Sequence, residues 1–185
     1  MKILLVIFSI IFAFQPEKAI DQQQTDLPKA VSTEIFKKFK IKNFHATLLL
    51  SSANQPDNTK SKAGFYILKS NETELGYLYF GRVNTCRNGG CENPAFFDAT
   101  ASSEFFDYMI LFDNHKTVVS VAVYNYEATH GQEITAKGWL KQFFGYQNGQ
   151  KLEAGKSIDA ISGATISVEA IVNDIKIHTA LLSTI

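Results

Sequence analysis

The chain has 185 residues, enough for one domain of ordinary size with a core of its own. With 45% hydrophobic and 19% charged residues, 15 Phe and 7 Tyr, it has the composition of a folded, aromatic-rich protein and not of a disordered one. Its 18 basic and 18 acidic residues cancel, which gives nucleic acid no reason to bind, and 2 cysteines with 4 scattered histidines are too few for a Cys-ligated zinc site or iron–sulfur cluster.

Met1 and Lys2 lead into an apolar run over residues 3–14, the length of a secretory h-region and short for a membrane span. Residues 1–20 are therefore expected to be a signal peptide; retention as an N-terminal anchor is the alternative, because no Ala-x-Ala pattern lies between Phe12 and Ala19. No cysteine follows the run, so the lipoprotein route is closed. The expected location is periplasmic or otherwise extracytoplasmic. Residues 21–27 then read as a linker, Gln-rich at its start, and residues 28–185 as the domain.

Residues 27–42 predict a helix, with Pro28 in the first turn and Val31, Ile35 and Phe39 along one face. Lys37, Lys38, Lys40 and Lys42 gather at its end, where the dipole favours positive charge. A solvated helix end is the simpler reading of that run; a contact with acidic lipid or an acidic partner is the sharper one. Residues 44–51, 64–69, 75–83, 107–112 and 118–124 are rich in β-branched and aromatic residues and predict strands. A loop is expected over 52–61, and hairpin turns at Asn71-Glu72-Thr73 and Asp113-Asn114-His115-Lys116. His115 belongs at an exposed tip.

Cys86-Arg87-Asn88-Gly89-Gly90-Cys91 contains a turn able to bring the two sulfurs within bonding reach. In an exported protein the Cys86–Cys91 pair is expected to be a small structural disulfide; a strained, reducible dithiol is the alternative.

Past the last strand, His130-Gly131-Gln132-Glu133-Ile134 breaks the extended pattern, and residues 137–146 predict a short helix with Trp139, Leu140, Phe143 and Phe144 in the core. A final helix is predicted over about 167–182, with His178 near its end at the surface. Just before it stands Asp159-Ala160-Ile161-Ser162-Gly163-Ala164-Thr165. Its small residues let a backbone come close to another group, and a helix start directs N–H groups and a positive dipole end outward, which suits a phosphate. Thr165 stands there with a hydroxyl able to carry an ester. By itself such a stretch is commonly only a turn and a cap.

Both blocks together resemble the FMN-binding domain found in the flavin subunits of sodium-translocating NADH:quinone reductase and of Rnf electron-transport complexes. The family pattern Asp-x-x-Ser/Thr-Gly-Ala-Thr, with Ser or Thr nearby, is matched by Asp159, Ser162, Gly163, Ala164, Thr165 and Ser167. His130 through Ile134, then Gly138, Trp139 to Phe143 and Gly145, match the upstream block. The resemblance covers roughly the second half of the chain. It implies FMN as cofactor, joined to Thr165 by a phosphoester that a separate flavin transferase makes from FAD, with Asp159 helping that enzyme recognise the site. Ser162, Gly163, Ala164, Ser167, His130, Gly131, Glu133 and Ile134 are the implied neighbours of the cofactor, His130 as a donor and Glu133 as an acceptor.

The fold expected is α+β, an antiparallel or mixed sheet of about five or more strands with helices at both ends of the chain. No Ser-His-Asp, Cys-His or paired-carboxylate set stands at interpretable spacing, so the expected function is an exported electron-transfer carrier. Its partners would be the transferase and redox donor and acceptor proteins, membrane-bound ones included. A flavin-free binding module of the same fold, or a component of a flavin-dependent reductase, are the alternatives. For the cysteines, thiol labelling of the denatured, unreduced protein is expected to find no free Cys86 or Cys91. Full labelling of both would contradict the pairing in either its structural or its redox form.

Overall fold

Five successive segments rich in large apolar side chains build a five-stranded antiparallel sheet. The computed structural model describes residues 27–52, 62–87 and 103–185. The expected signal segment, residues 21–26 and Cys91 lie outside the described residues, as does the side chain of Cys86. The strands are β1 (His45–Ser51), β2 (Gly64–Ser70), β3 (Thr73–Arg87), β4 (Ser103–Phe112) and β5 (Val118–Glu127). They lie side by side in chain order, each antiparallel to the next.

Strand β4 shows why this sheet needs cover on both sides. Phe106, Tyr108, Ile110 and Phe112 face one way and Met109 and Leu111 the other, and none is exposed. Helix α1 (Lys29–Phe39) covers the second face, setting Val31 and Ile35 against Tyr66, Leu68, Leu78, Phe80, Met109 and Leu111. Leu27, just before it, joins the same cluster. Over the first face lie a short helix α2 (Lys137–Leu140), flanked by 3-10 turns at Gln132–Thr135 and Lys141–Phe143, and the long α3 (Thr165–Ser183). Val168, Ile171, Val172, Ile175 and Leu182 form the buried stripe of α3.

The helix expected over 137–146 is cut short. Gly145 takes a φ of 86°, its N–H donates to Val118 O, and Val118 N–H donates to Tyr146 O. Two bonds to the edge of the sheet thus outcompete further helical turns, and they turn Phe144 outward instead of into the core.

Polar contacts inside the layers hold α3 in place. The fully buried Tyr108 donates its hydroxyl to Asp174 Oδ2 at 2.5 Å. His178, expected at the surface, is half-buried, because its ring stacks on Tyr79 with centroids 3.7 Å apart while Nδ1 meets the Asp174 carbonyl at 2.8 Å. Burial, reinforced by the Asp174 carboxylate, pushes the Tyr108 hydroxyl well above its ordinary pKa, so it remains a proton donor. On the α1 face, Arg82 donates to both oxygens of Asp107 at 2.7 and 3.0 Å, and Asn125 donates to the same carboxylate at 2.9 Å. These three are cross-strand partners in the register of β3, β4 and β5. The guanidinium also lies 3.5 Å from the Phe105 ring centroid.

Asp107→Ala leaves two part-buried donors, Arg82 and Asn125, without their acceptor, and is expected to cost about 3 kcal/mol in urea unfolding. Tyr108→Phe removes one hydroxyl and leaves a partly solvated carboxylate, and is expected to cost about 1 kcal/mol. Equal losses would show that the Arg82–Asp107–Asn125 row is no tighter a constraint than one helix contact.

Candidate functional site

Two stretches distant in sequence meet beside the sheet: the close of β5 with the loop that follows it, and the first turn of α3. The approach to α3 is built by anchoring. Ile158 is fully buried, and a turn closes from Ala164 N–H to Ile161 O. Gly163, third in that turn, has a φ of 81°, which suits glycine. The backbone of Asp159 is held on both sides: the Trp139 indole donates to its carbonyl at 2.9 Å, and its N–H donates to Gln142 Oε1 at 2.9 Å. The carboxylate side of Asp159 is left exposed.

Helix α3 opens at Thr165, two residues before the expected start, with Ala164 as N-cap. Ala164 O accepts from Val168 N–H, so the N–H groups of Thr165, Ile166 and Ser167 precede the first intrahelical bond. No side chain caps this end, and no acidic residue stands in its first turn. The positive end of a 19-residue helix thus meets no carboxylate within its own first turn. Thr165, Ser162 and Gly163 are exposed, and a Cβ built on Gly163 would meet nothing within 4 Å. An anion therefore has both room and donors here.

Ser167 points inward. Tyr126 at the end of β5 donates its hydroxyl to His130 O at 2.5 Å and lies 3.1 Å from Ser167 Oγ. The single phenolic proton is committed to that carbonyl, so Ser167 is the donor in the second bond. Burial raises the Tyr126 pKa, with the Ser167 bond acting in the opposite sense. Gly131, with a φ of 88°, sits directly under this pair: a Cβ there would stand 2.6 Å from Ser167 Oγ and 2.9 Å from the Tyr126 hydroxyl. Thr129 is tied back to β4 through Glu104, and His130 Nδ1 lies 3.2 Å from Thr129 Oγ1.

The structure thus brings His130 and Gly131 to Ser167, while Glu133 is exposed close enough to bear on the Tyr126 hydroxyl. Ile134 and Ala164 are buried among core residues, so their side chains serve packing. Tyr126, Glu104 and Gln142 had no signal in the sequence beyond their neighbourhood. Tyr126 acts across 41 positions and Gln142 across 17, which only the fold brings together.

Residues 102–177 match the family model described as an FMN-binding domain, a segment running from the start of β4 nearly to the end of α3. A search of curated proteins found no match to the chain.

Gly131 and Gly163 share a positive φ but differ in surroundings, which separates backbone strain from close approach. Gly163→Ala is expected to cost about 1 kcal/mol, the conformational term alone. Gly131→Ala must also displace Ser167 or Tyr126 and is expected to cost roughly twice as much in urea unfolding. Equal losses would mean that the contact between the loop and α3 is slack.

Proposed function

We propose that this chain, whose residues 102–177 match the FMN-binding domain, is an exported flavoprotein that carries FMN covalently on Thr165 and acts as an electron-transfer carrier. The observation that carries the reading is the position of Thr165: exposed, first in α3, and beside N–H groups that precede the first helical bond. A phosphodiester at that place keeps one negative charge, which the helix end stabilises by about 0.3–1 kcal/mol with no basic side chain.

Attachment forms a bond from Thr165 Oγ to the FMN phosphorus of FAD and breaks the diphosphate bond, so that AMP leaves and the hydroxyl proton passes to the transferase. Thr is a weak nucleophile, and among the described residues none bonds to Thr165 as a base, so the activating groups belong to that enzyme. The exposed Asp159, with its backbone fixed by Trp139 and Gln142, is suited to recognition by the transferase. Bound FMN supplies the redox chemistry. The chain's task is to hold it: Ser162 and Gly163 give room, Ser167 and Gly131 fix the loop, and His130 and Glu133 project from that loop. Glu133 would act as acceptor toward a ribityl hydroxyl or ring N–H, and His130 as donor.

In this reading residues 1–20 route the domain out of the cytoplasm, and its electrons come from and go to other proteins, among them membrane-bound ones. Among the described residues no helix is long and apolar enough to cross a membrane. Co-expression with a flavin transferase is expected to leave a fluorescent band on a denaturing gel, and Thr165→Ala to abolish it. A band that persists in Thr165→Ala moves the attachment point; no band in either form favours the flavin-free binding module.

A further inference from the structure

A second concavity lies away from the α3 N-terminus, between α1, β5 and the segment following α2. Its volume is about 650 Å³, within the range of about 300–1,000 Å³ typical of small-molecule sites. None of Ser162, Gly163, Thr165, Ser167, His130 or Glu133 lines it. Its apolar lining comes from both sides of the edge strand β5, Met109 and Ala122 toward α1 and Val121, Val123 and Leu140 toward α2, with Phe144 at the lip. Phe144 is the side chain that the bonds from Gly145 and Tyr146 to Val118 turn outward, and 41% of it is exposed.

The rim is basic. Lys29, Lys37 and Lys38 come from α1, and Lys137 and Lys141 from the opposite wall. Among the described residues lining the cavity, Glu34 is the one carboxylate, and it is engaged by Lys37 at 2.5 Å. Lys38 Nζ lies 5.6 Å from the Phe144 ring centroid, so charge from one wall meets the aromatic lip of the other. Lys37 and Lys38, two of the four lysines expected to form a solvated helix end, thus share a cavity with two more lysines from a distant part of the chain.

These two features select a ligand class. A small inorganic anion would satisfy the rim and leave the apolar lining wet. A neutral hydrocarbon would cover the lining and leave the lysines without a counter-charge. We propose that this cavity binds an anionic amphiphile, a single alkyl chain lying on Val121, Val123 and Leu140 with its carboxylate or phosphate head held by Lys38 and Lys141. The site is independent of the attachment at Thr165. Free fatty acids and the acidic lipids of a bilayer share this chemistry.

The test uses the purified full chain, isotope-labelled for NMR, titrated with dodecanoate below its micellar concentration and, in parallel, with dodecanol. Saturable shifts at Val121, Leu140 and Phe144 are expected with dodecanoate, and binding of dodecanol about tenfold weaker. Lys38→Glu combined with Lys141→Glu changes two exposed residues, and is expected to weaken dodecanoate about tenfold while leaving dodecanol unchanged. Sedimentation with phosphatidylcholine vesicles containing phosphatidylglycerol distinguishes the sources. Capture by vesicles that the double variant loses, without binding of free dodecanoate, assigns the head group to a bilayer lipid. Equal binding of dodecanol and dodecanoate, displacement of dodecanoate by equimolar free FMN, or neither dodecanoate binding nor variant-sensitive vesicle capture would each overturn the proposal.

Discussion

One close approach organises the functional end of this molecule: the backbone at Gly131 passes beneath the first turn of α3, where any side chain would collide with Ser167 and Tyr126. Because the approach is backbone against side chain, the loop after β5 and the start of α3 come together with little freedom in register. Tyr126 closes the junction from the sheet side, bonding to the loop through His130 O and to the helix through Ser167. With a side chain at position 131, either Ser167 and Tyr126 must shift or the loop carrying His130 and Glu133 must move away from the helix end carrying Thr165.

The rest of the fold can be understood as support for that junction. The aromatic face of β4 and the buried stripe of α3 lock together, and Tyr108–Asp174 with Tyr79–His178 pins the helix half-way along and near its end. The N-terminal turn is then positioned by a rigid lever while its own N–H groups stay open. That division suits a covalently held cofactor. Under the proposed linkage, the attachment point has to be reachable by a second enzyme, whereas the surroundings that orient the cofactor have to stay in place when it arrives. The α1 face supports the sheet from behind through the Arg82–Asp107–Asn125 row, and this same layer forms one wall of the lysine-rimmed cavity.

The five strands and both terminal helices could be read from the sequence because their signals are local. The aromatic and apolar run from Tyr108 to Phe112, and the helical spacing from Val168 to Ile175, are carried by neighbouring residues. The Ser-Gly-Ala-Thr stretch and the His130 block could be read through resemblance. What could not be read depended on pairing across the fold. Segment 137–146 has a helical pattern, but its last residues are drawn to the edge at Val118, and so Phe144 ends exposed. His178 looked peripheral until Tyr79, about a hundred positions earlier, supplied a stacking partner. Asp107 in an apolar strand gave no sign of its partners, because a strand's own sequence does not state its register.

The central claim is that the flavin hangs from the first residue of α3. Trypsin cuts after Lys156 and Lys176, releasing one peptide that contains Ser157, Ser162, Thr165 and Ser167 together. Mass spectrometry of that peptide from flavinylated protein, fragmented to locate the added mass, tests the claim directly. The account predicts a gain equal to FMN less one water, confined to Thr165. An unmodified peptide from protein that stays yellow after denaturation, or the added mass on Ser162 or Ser167, would contradict it.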